Sequence, residues 1–197
     1  MTSPAPRRTY TQTHRADQAA ATADRILDAT ATLFWSAPSM QISLSAVAAA
    51  AGVTVQTVIR RFGGREGLLA AVAERETARV ARERNPEAIT DPASAVAQLV
   101  AHYEASGDGV LRLLAEELRS PDLAGAADVG RRMHREWCAS VFSASVASAP
   151  DGGRRLAQLV AVTDVYTWKL LRRDAGLDRA SVELAILELL RPLLEVS

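Results

Sequence analysis

The chain has 197 residues, with 23 basic side chains against 23 acidic ones and a single cysteine. That length buries a sizeable core without a metal or disulfide staple, and a lone Cys138 cannot form an internal bridge, which points to a reducing compartment, the cytoplasm. No run of about 18 apolar residues exists to cross a bilayer, and Met1 to Asp17 holds no apolar stretch of signal-peptide type, so neither membrane insertion nor secretion is expected.

Alanine is abundant, aromatic residues make up 5%, and segments alternating Val, Ile and Thr are nearly missing. Helices are therefore favoured over strands, and the expected fold class is all-α. The zero net charge hides an asymmetry, because residues 1–85 hold 11 Arg against 7 acids and residues 86–197 hold 12 bases against 16 acids. A basic front half on an acidic back half fits a polyanion-binding head on a solvated body.

In chain order, residues 1–13 mix Pro4, Pro6, Arg7 and Arg8 with Thr and Ser, and read as a flexible arm. The apolar spacing of Ile26, Leu27, Thr30, Leu33 and Phe34 predicts a helix from about His14 to Trp35, ended by Pro38. Ser43 or Ser45 can cap a short helix through Ala50, Ala51-Gly52-Val53 makes a break, and Thr54 caps another short helix to Phe62. Gly63-Gly64 ends it, so residues 14–64 form the expected head. A connecting helix over 65–85 leads past Pro86 into a body, residues 86–197. There the spacing predicts helices over 92–105, 109–119, 127–149, 153–175 and 179–194, separated by Gly107, Pro121, Pro150-Asp151-Gly152 and Gly176.

The sharpest signal lies between Ser43 and Phe62. A helix-turn-helix needs apolar residues facing the second helix, a small residue at the crossing, and a turn residue tolerant of positive φ. Val47, Ala48 and Gly52 stand at that spacing. Downstream, Val53, Val58 and Phe62 make one inward face and leave Thr54, Val55, Gln56, Thr57, Ile59, Arg60 and Arg61 outside. A short surface helix rich in hydrogen-bonding and basic groups suits the DNA major groove. On periodicity alone, two helices of a plain α-helical domain fit as well.

The stretch ISLSAVAAAAGVTVQTVIRRFGGREGLLAAV, with ADRILDATATLF before it, resembles the N-terminal domain of the TetR (tetracycline repressor-like) regulators. In that family a helix-turn-helix is followed by an aromatic, a short break, a basic-acidic pair and an apolar helix, here Phe62, Gly63-Gly64, Arg65-Glu66 and Leu68-Leu69. The resemblance implies a three-helix DNA-binding head and a helical body that dimerises and binds a small, largely apolar effector. It implies double-stranded operator DNA and a second copy of the chain as partners, and repression as the outcome.

By the same resemblance Thr54 opens the recognition helix, Thr57 is a phosphate contact, and Arg65 is a backbone-contacting base. Hydroxyls, guanidinium groups and helix N-termini are the usual partners of phosphate oxygens. Thr22 on the first helix is a further candidate. The chain departs from the family at Ile59, where an aromatic hydroxyl is usual, and at Arg61, where an aromatic or His is usual. Ile59 cannot donate to phosphate, so either that contact is missing or the position packs against a thymine methyl or sugar, with Arg60 or Arg61 as the candidate replacement. Gln56, in the first turn, matches an adenine edge. Arg7, Arg8 and Arg15 reach the minor groove or act as a loose electrostatic tail.

In the body, apolar stripes include Leu159 and Thr163, and then Val182, Ile186, Leu189, Leu190 and Leu193. The resemblance makes these a four-helix dimer interface; an intramolecular core is the alternative. An effector pocket is expected among His102, Tyr103, Arg112, Glu116, Met133, Trp137, Phe142 and Tyr166, where polar groups lie among apolar ones. His134-Arg135-Glu136 reads as a charged helix face. No metal-ligand spacing, Cys-His pair or Gly-rich phosphate loop is present, so no metal, cofactor or enzymatic activity is expected. A helical enzyme and a protein-binding adaptor are the rivals that DNA binding would exclude.

Overall fold

The structure is a computed structural model that describes the backbone of residues 8–36, 42–119 and 121–195. Among these residues every regular element is helical: α1 Arg8–Ser36, α2 Leu44–Ala51, α3 Val55–Phe62, α4 Arg65–Glu83, α5 Pro92–Glu116, α6 Pro121–Val141, α7 Ser143–Ser148, α8 Gly152–Val162, α9 Val165–Lys169 and α10 Arg179–Leu194. Short 3-10 turns follow α4 and α5, and a π turn over Leu170–Asp174 extends α9. No helix among the described residues is long and apolar enough to cross a membrane.

Two compact units divide the chain, residues 1–73 and 74–197, with the division inside α4. The first is built on Ile26, Ile42, Val47, Ala48, Ala51, Val58 and Leu68, with Leu33, Phe34, Val53 and Phe62 packed around them. The helix α1 begins at Arg8, six residues before the expected start. Past Pro6 there is no Gly or Pro to stop the helical ladder before Pro38. The remainder of the expected arm, residues 1–7, lies outside the described residues.

The second unit gathers Leu99, Val100 and Tyr103 of α5, Trp137 and Cys138 of α6, Leu159 of α8, Trp168 of α9, and Val182, Ile186 and Leu190 of α10 into one core. The expected break at Gly107 is absent, because α5 runs unbroken through Gly107 and Gly109. Gly107 is there for packing: a Cβ on it would stand 2.6 Å from the Trp168 ring. Pro121, expected between helices, instead opens α6, where a missing N–H costs nothing. Conversely, the helix expected over 153–175 is broken after Val162, and Asp164 recaps it by accepting the Tyr166 N–H at 2.9 Å.

Candidate nucleic-acid interface and buried polar cluster

Of the two serines that could cap α2, Ser43 does so, accepting the Ala46 N–H at 3.1 Å. Its C-terminus closes on Gly52 at φ 66°, a left-handed conformation that favours glycine. Two residues on, Thr54 in an extended conformation accepts the Thr57 N–H at 3.2 Å, and the two hydroxyls lie 2.9 Å apart. This fixes the direction in which α3 leaves the turn.

Val58 is fully buried and Phe62 half-buried, so α3 docks along that edge. The other side is open: Gln56, Arg60 and Arg61 are exposed, and so are the apolar Val55 at 37% and Ile59 at 38%. Base edges carrying thymine methyls are one apolar surface that these two β-branched side chains could meet. The helix ends on Gly63 at φ 77°, whose N–H donates to the Ile59 carbonyl at 2.8 Å.

Some of the expected DNA contacts have partners within the unit. Arg61 donates to the Ala19 carbonyl of α1, and Arg65 Nε donates to the Ile42 carbonyl at 3.4 Å. The Thr22 hydroxyl donates to the Gln18 carbonyl one turn earlier, at 2.8 Å. Gly67 is a residue that the sequence pattern did not single out. A Cβ there would stand 1.9 Å from the Phe62 carbonyl oxygen, so the tight passage from α3 into α4 admits only glycine.

In the second unit the residues expected to line a pocket are dispersed. Tyr103, Trp137 and Phe142 are buried, with Trp137 and Phe142 edge to face at 5.9 Å and the Tyr103 hydroxyl donating to the Thr163 carbonyl at 3.0 Å. His102, Arg112, Glu116 and Met133 are half-buried. Tyr166 is 52% exposed and belongs to the surface.

The interface expectation needs a larger correction. Leu159, Thr163, Val182, Ile186 and Leu190 are each 0% exposed in the single chain, and Leu193 packs against the same core. Their stripes face the protomer's own α5 and α6, which leaves Leu189, 49% exposed, as the outward member of the set.

His134 also corrects the reading of a charged face: Arg135 and Glu136 are exposed, but His134 is buried. Its Nδ1 lies 2.9 Å from Arg84 Nη2, and a guanidinium can only donate, so Nδ1 accepts. The proton is then on Nε2, which faces Thr163 Oγ1 at 3.2 Å. Thr163 spends its own hydroxyl hydrogen on the Leu159 carbonyl at 2.7 Å, leaving its oxygen to accept. Cys138 Sγ completes the group, 3.3 Å from Thr163 Oγ1.

Arg84 itself is 7% exposed, with its guanidinium carbon 4.4 Å from the centre of the Trp137 ring. Burial lowers its pKa, yet a guanidinium stays charged. Burial first, and the nearby Arg84 charge second, push the imidazolium forms of His102 and His134 down to about 3. Both rings are neutral near pH 7. An arginine after a run of surface arginines carries no sequence mark of burial; the three- and four-residue spacing of His134, Trp137 and Cys138 is the signal that could have shown one inward helix face.

Residues 26–72 match the tetR family of bacterial regulatory proteins. Over 61 residues the chain is 44% identical to uncharacterised helix-turn-helix-type transcriptional regulators from two strains of Mycobacterium tuberculosis, a match covering 31% of this chain and 30% of each relative. In solved structures, the fold resembles a candidate TetR-family transcriptional regulator from Rhodococcus sp., with a TM-score of 0.66 at 17% identity over 88% of this chain and 99% of that one. A second likeness is to a transcriptional regulator from Rhodococcus sp. Rha1, with a TM-score of 0.60 at 20% identity over 89% of this chain and 99% of that one. The likeness to the tetR family of bacterial regulatory proteins thus rests on residues 26–72, inside the first unit.

Proposed function

We propose that the chain is a cytoplasmic, non-enzymatic transcriptional repressor that binds a pseudo-palindromic operator as a homodimer and is released by a small effector held in residues 86–197. The observation that carries this reading is the capped, outward face of α3, where Gln56, Val55, Ile59 and Arg60 stand together in solvent. A helix of eight residues reads only a few bases, so specificity requires two copies spaced about one DNA turn apart or a multiple of it. With Ile186 and its stripe inside the protomer, the pairing surface falls to the outward sides of α8 and α10, with Leu189 among its apolar members.

Division of labour within the head follows from chemistry. Thr22, Thr54, Thr57, Arg60, Arg61 and Arg65 serve phosphates, while Gln56, Val55 and Ile59 read base edges. Electrophoretic mobility shift with the DNA upstream of the chain's own gene, against random DNA of equal length, is the test. Gln56→Ala should cost about 1 to 3 kcal/mol on the specific site and nearly nothing on random DNA. Arg65→Ala should weaken both alike. Equal losses on the two DNAs for Gln56→Ala would remove its reading role, and no preference for any fragment would remove the regulator reading.

A further inference from the structure

Arg84 carries a charge that nothing among the described residues balances. It is 7% exposed, and no Asp or Glu of the described residues lies within 4.0 Å of it. Its recorded partners are the neutral His134 ring and the face of Trp137. Two partly buried arginines of this unit show the contrast: Arg172 meets Glu104 at 2.8 Å and Arg79 meets Glu83 at 2.6 Å.

Burying an ion without a counter-charge is strongly unfavourable, and the penalty falls when an anion with matched geometry arrives. Two hydrogen-bond donors in this layer also lack acceptors among the described residues: Arg84 Nε–H and Trp137 Nε1–H. The guanidinium carbon stands 4.4 Å from the centre of the indole, so the two groups share one layer. Unmet donors with a positive charge, in a layer whose apolar neighbour is Trp137, call for a flat, two-oxygen anion on an apolar body.

We propose that Arg84 anchors the carboxylate of a small organic acid whose apolar part lies against Trp137. The inference rests on the reading that the second unit takes an effector, and it gives that largely apolar molecule an acidic end. Arg84 directly follows the last residue of α4, the helix that begins at Arg65 beside the recognition helix. A carboxylate that draws on Arg84 therefore acts on the end of the segment leading to the DNA-binding head, and operator binding must in return weaken the acid.

The full-length protein is titrated by calorimetry with benzoate, 4-phenylbutyrate and octanoate, and with the primary amide of each. At least one acid should bind and raise the melting temperature, with its amide about 10- to 100-fold weaker, the worth of charge-assisted hydrogen bonds. Arg84→Gln should lose the preference for acid over amide by the same factor. Because it removes an unbalanced buried charge, it should melt no lower than the wild type. Acids binding no better than their amides in the wild type, a preference that survives Arg84→Gln, or an Arg84→Gln protein that fails to fold would each overturn the proposal. Mobility shift with the operator separates the two readings. An acid that binds through Arg84 and leaves DNA affinity unchanged keeps the anion site and removes the effector reading; retained DNA binding with no acid preference does the reverse.

Discussion

The two units handle arginine in opposite ways. In residues 1–73, Arg60, Arg61 and Arg65 are exposed, and the contacts that cap α2 and α3 are short-range: Ser43 to Ala46, Thr54 to Thr57, Gly63 to Ile59. In residues 74–197, Arg84 is taken inside and held by a histidine 50 residues away, which in turn faces a threonine 29 residues further on. A surface built for a polyanion keeps its charge in water until the partner arrives. A buried charge is different, since it destabilises the empty state and makes the unit responsive to whatever neutralises it. The second unit is therefore expected to respond to pH and to small acids.

The largest test of this contrast concerns the core of the second unit. Ile186 is 0% exposed and Leu189, three residues on, is 49% exposed. Ile186→Arg buries an unpaired charge and should cost several kcal/mol, a large share of a typical total stability of about 5 to 15 kcal/mol. The second unit should unfold. Leu189→Arg should change stability by no more than about 0.5 kcal/mol yet raise the dimer dissociation constant. Circular dichroism melting and sedimentation velocity on both variants decide the matter. If Ile186→Arg stays folded and becomes monomeric, its stripe is an interface after all.

How much of this was visible in the sequence follows the same division. The first unit's signals are local: a cap hydroxyl three residues before the amide it serves, a glycine in the turn, an apolar spacing inside one helix. Val47, Ala48, Gly52 and Val58 could be assigned from those alone. The second unit depends on which residues meet across long separations. Gly107 reads as a helix breaker until Trp168 is found against it, and Arg84 reads as one more surface arginine until Trp137 is found beneath it. The stripe of Val182, Ile186 and Leu190 was correctly seen as apolar. Periodicity shows that a face is covered but not whether its cover comes from the same chain or a second copy.

A mid-sized test uses the two buried imidazoles. His102 and His134 titrate near 3 in the folded chain and near 6.5 when unfolded. Above pH 6.5 both are neutral in either state and their contribution is complete. As the pH falls below 6.5 the unfolded chain takes up protons that the folded chain refuses, so stability decreases. At pH 5.5 each should have lost about 1.4 kcal/mol, about 2.8 kcal/mol together. Urea unfolding at pH 7.5, 6.5 and 5.5 measures the slope, and His134→Gln should halve it. A flat profile in this window would mean the two rings are wet, and Arg84 with them.

The smallest effect lies at the start of the recognition helix. Thr54→Ala removes the oxygen that accepts the Thr57 N–H at 3.2 Å. Losing a helix cap costs about 1 kcal/mol, ranging from roughly 0.5 to 2, and this site belongs in the lower half because Thr54 is exposed and water can satisfy the freed amide. The loss should stay in the first unit, since the contacts of Thr54 are within it. Hydrogen exchange by NMR gives the local reading: the Thr57 and Val58 amides should exchange about five times faster, the factor for about 1 kcal/mol, with amides of α5 and α6 unmoved. On the proposed division of labour, operator affinity should fall while random-DNA affinity holds, because the cap sets the direction of the helix that carries Gln56. Thr54→Ser keeps the hydroxyl and should restore both the exchange rates and the operator affinity. If Thr54→Ser restores protection but not operator binding, the γ-methyl of Thr54 is itself a DNA contact, and the residue reads the site as well as opening the helix.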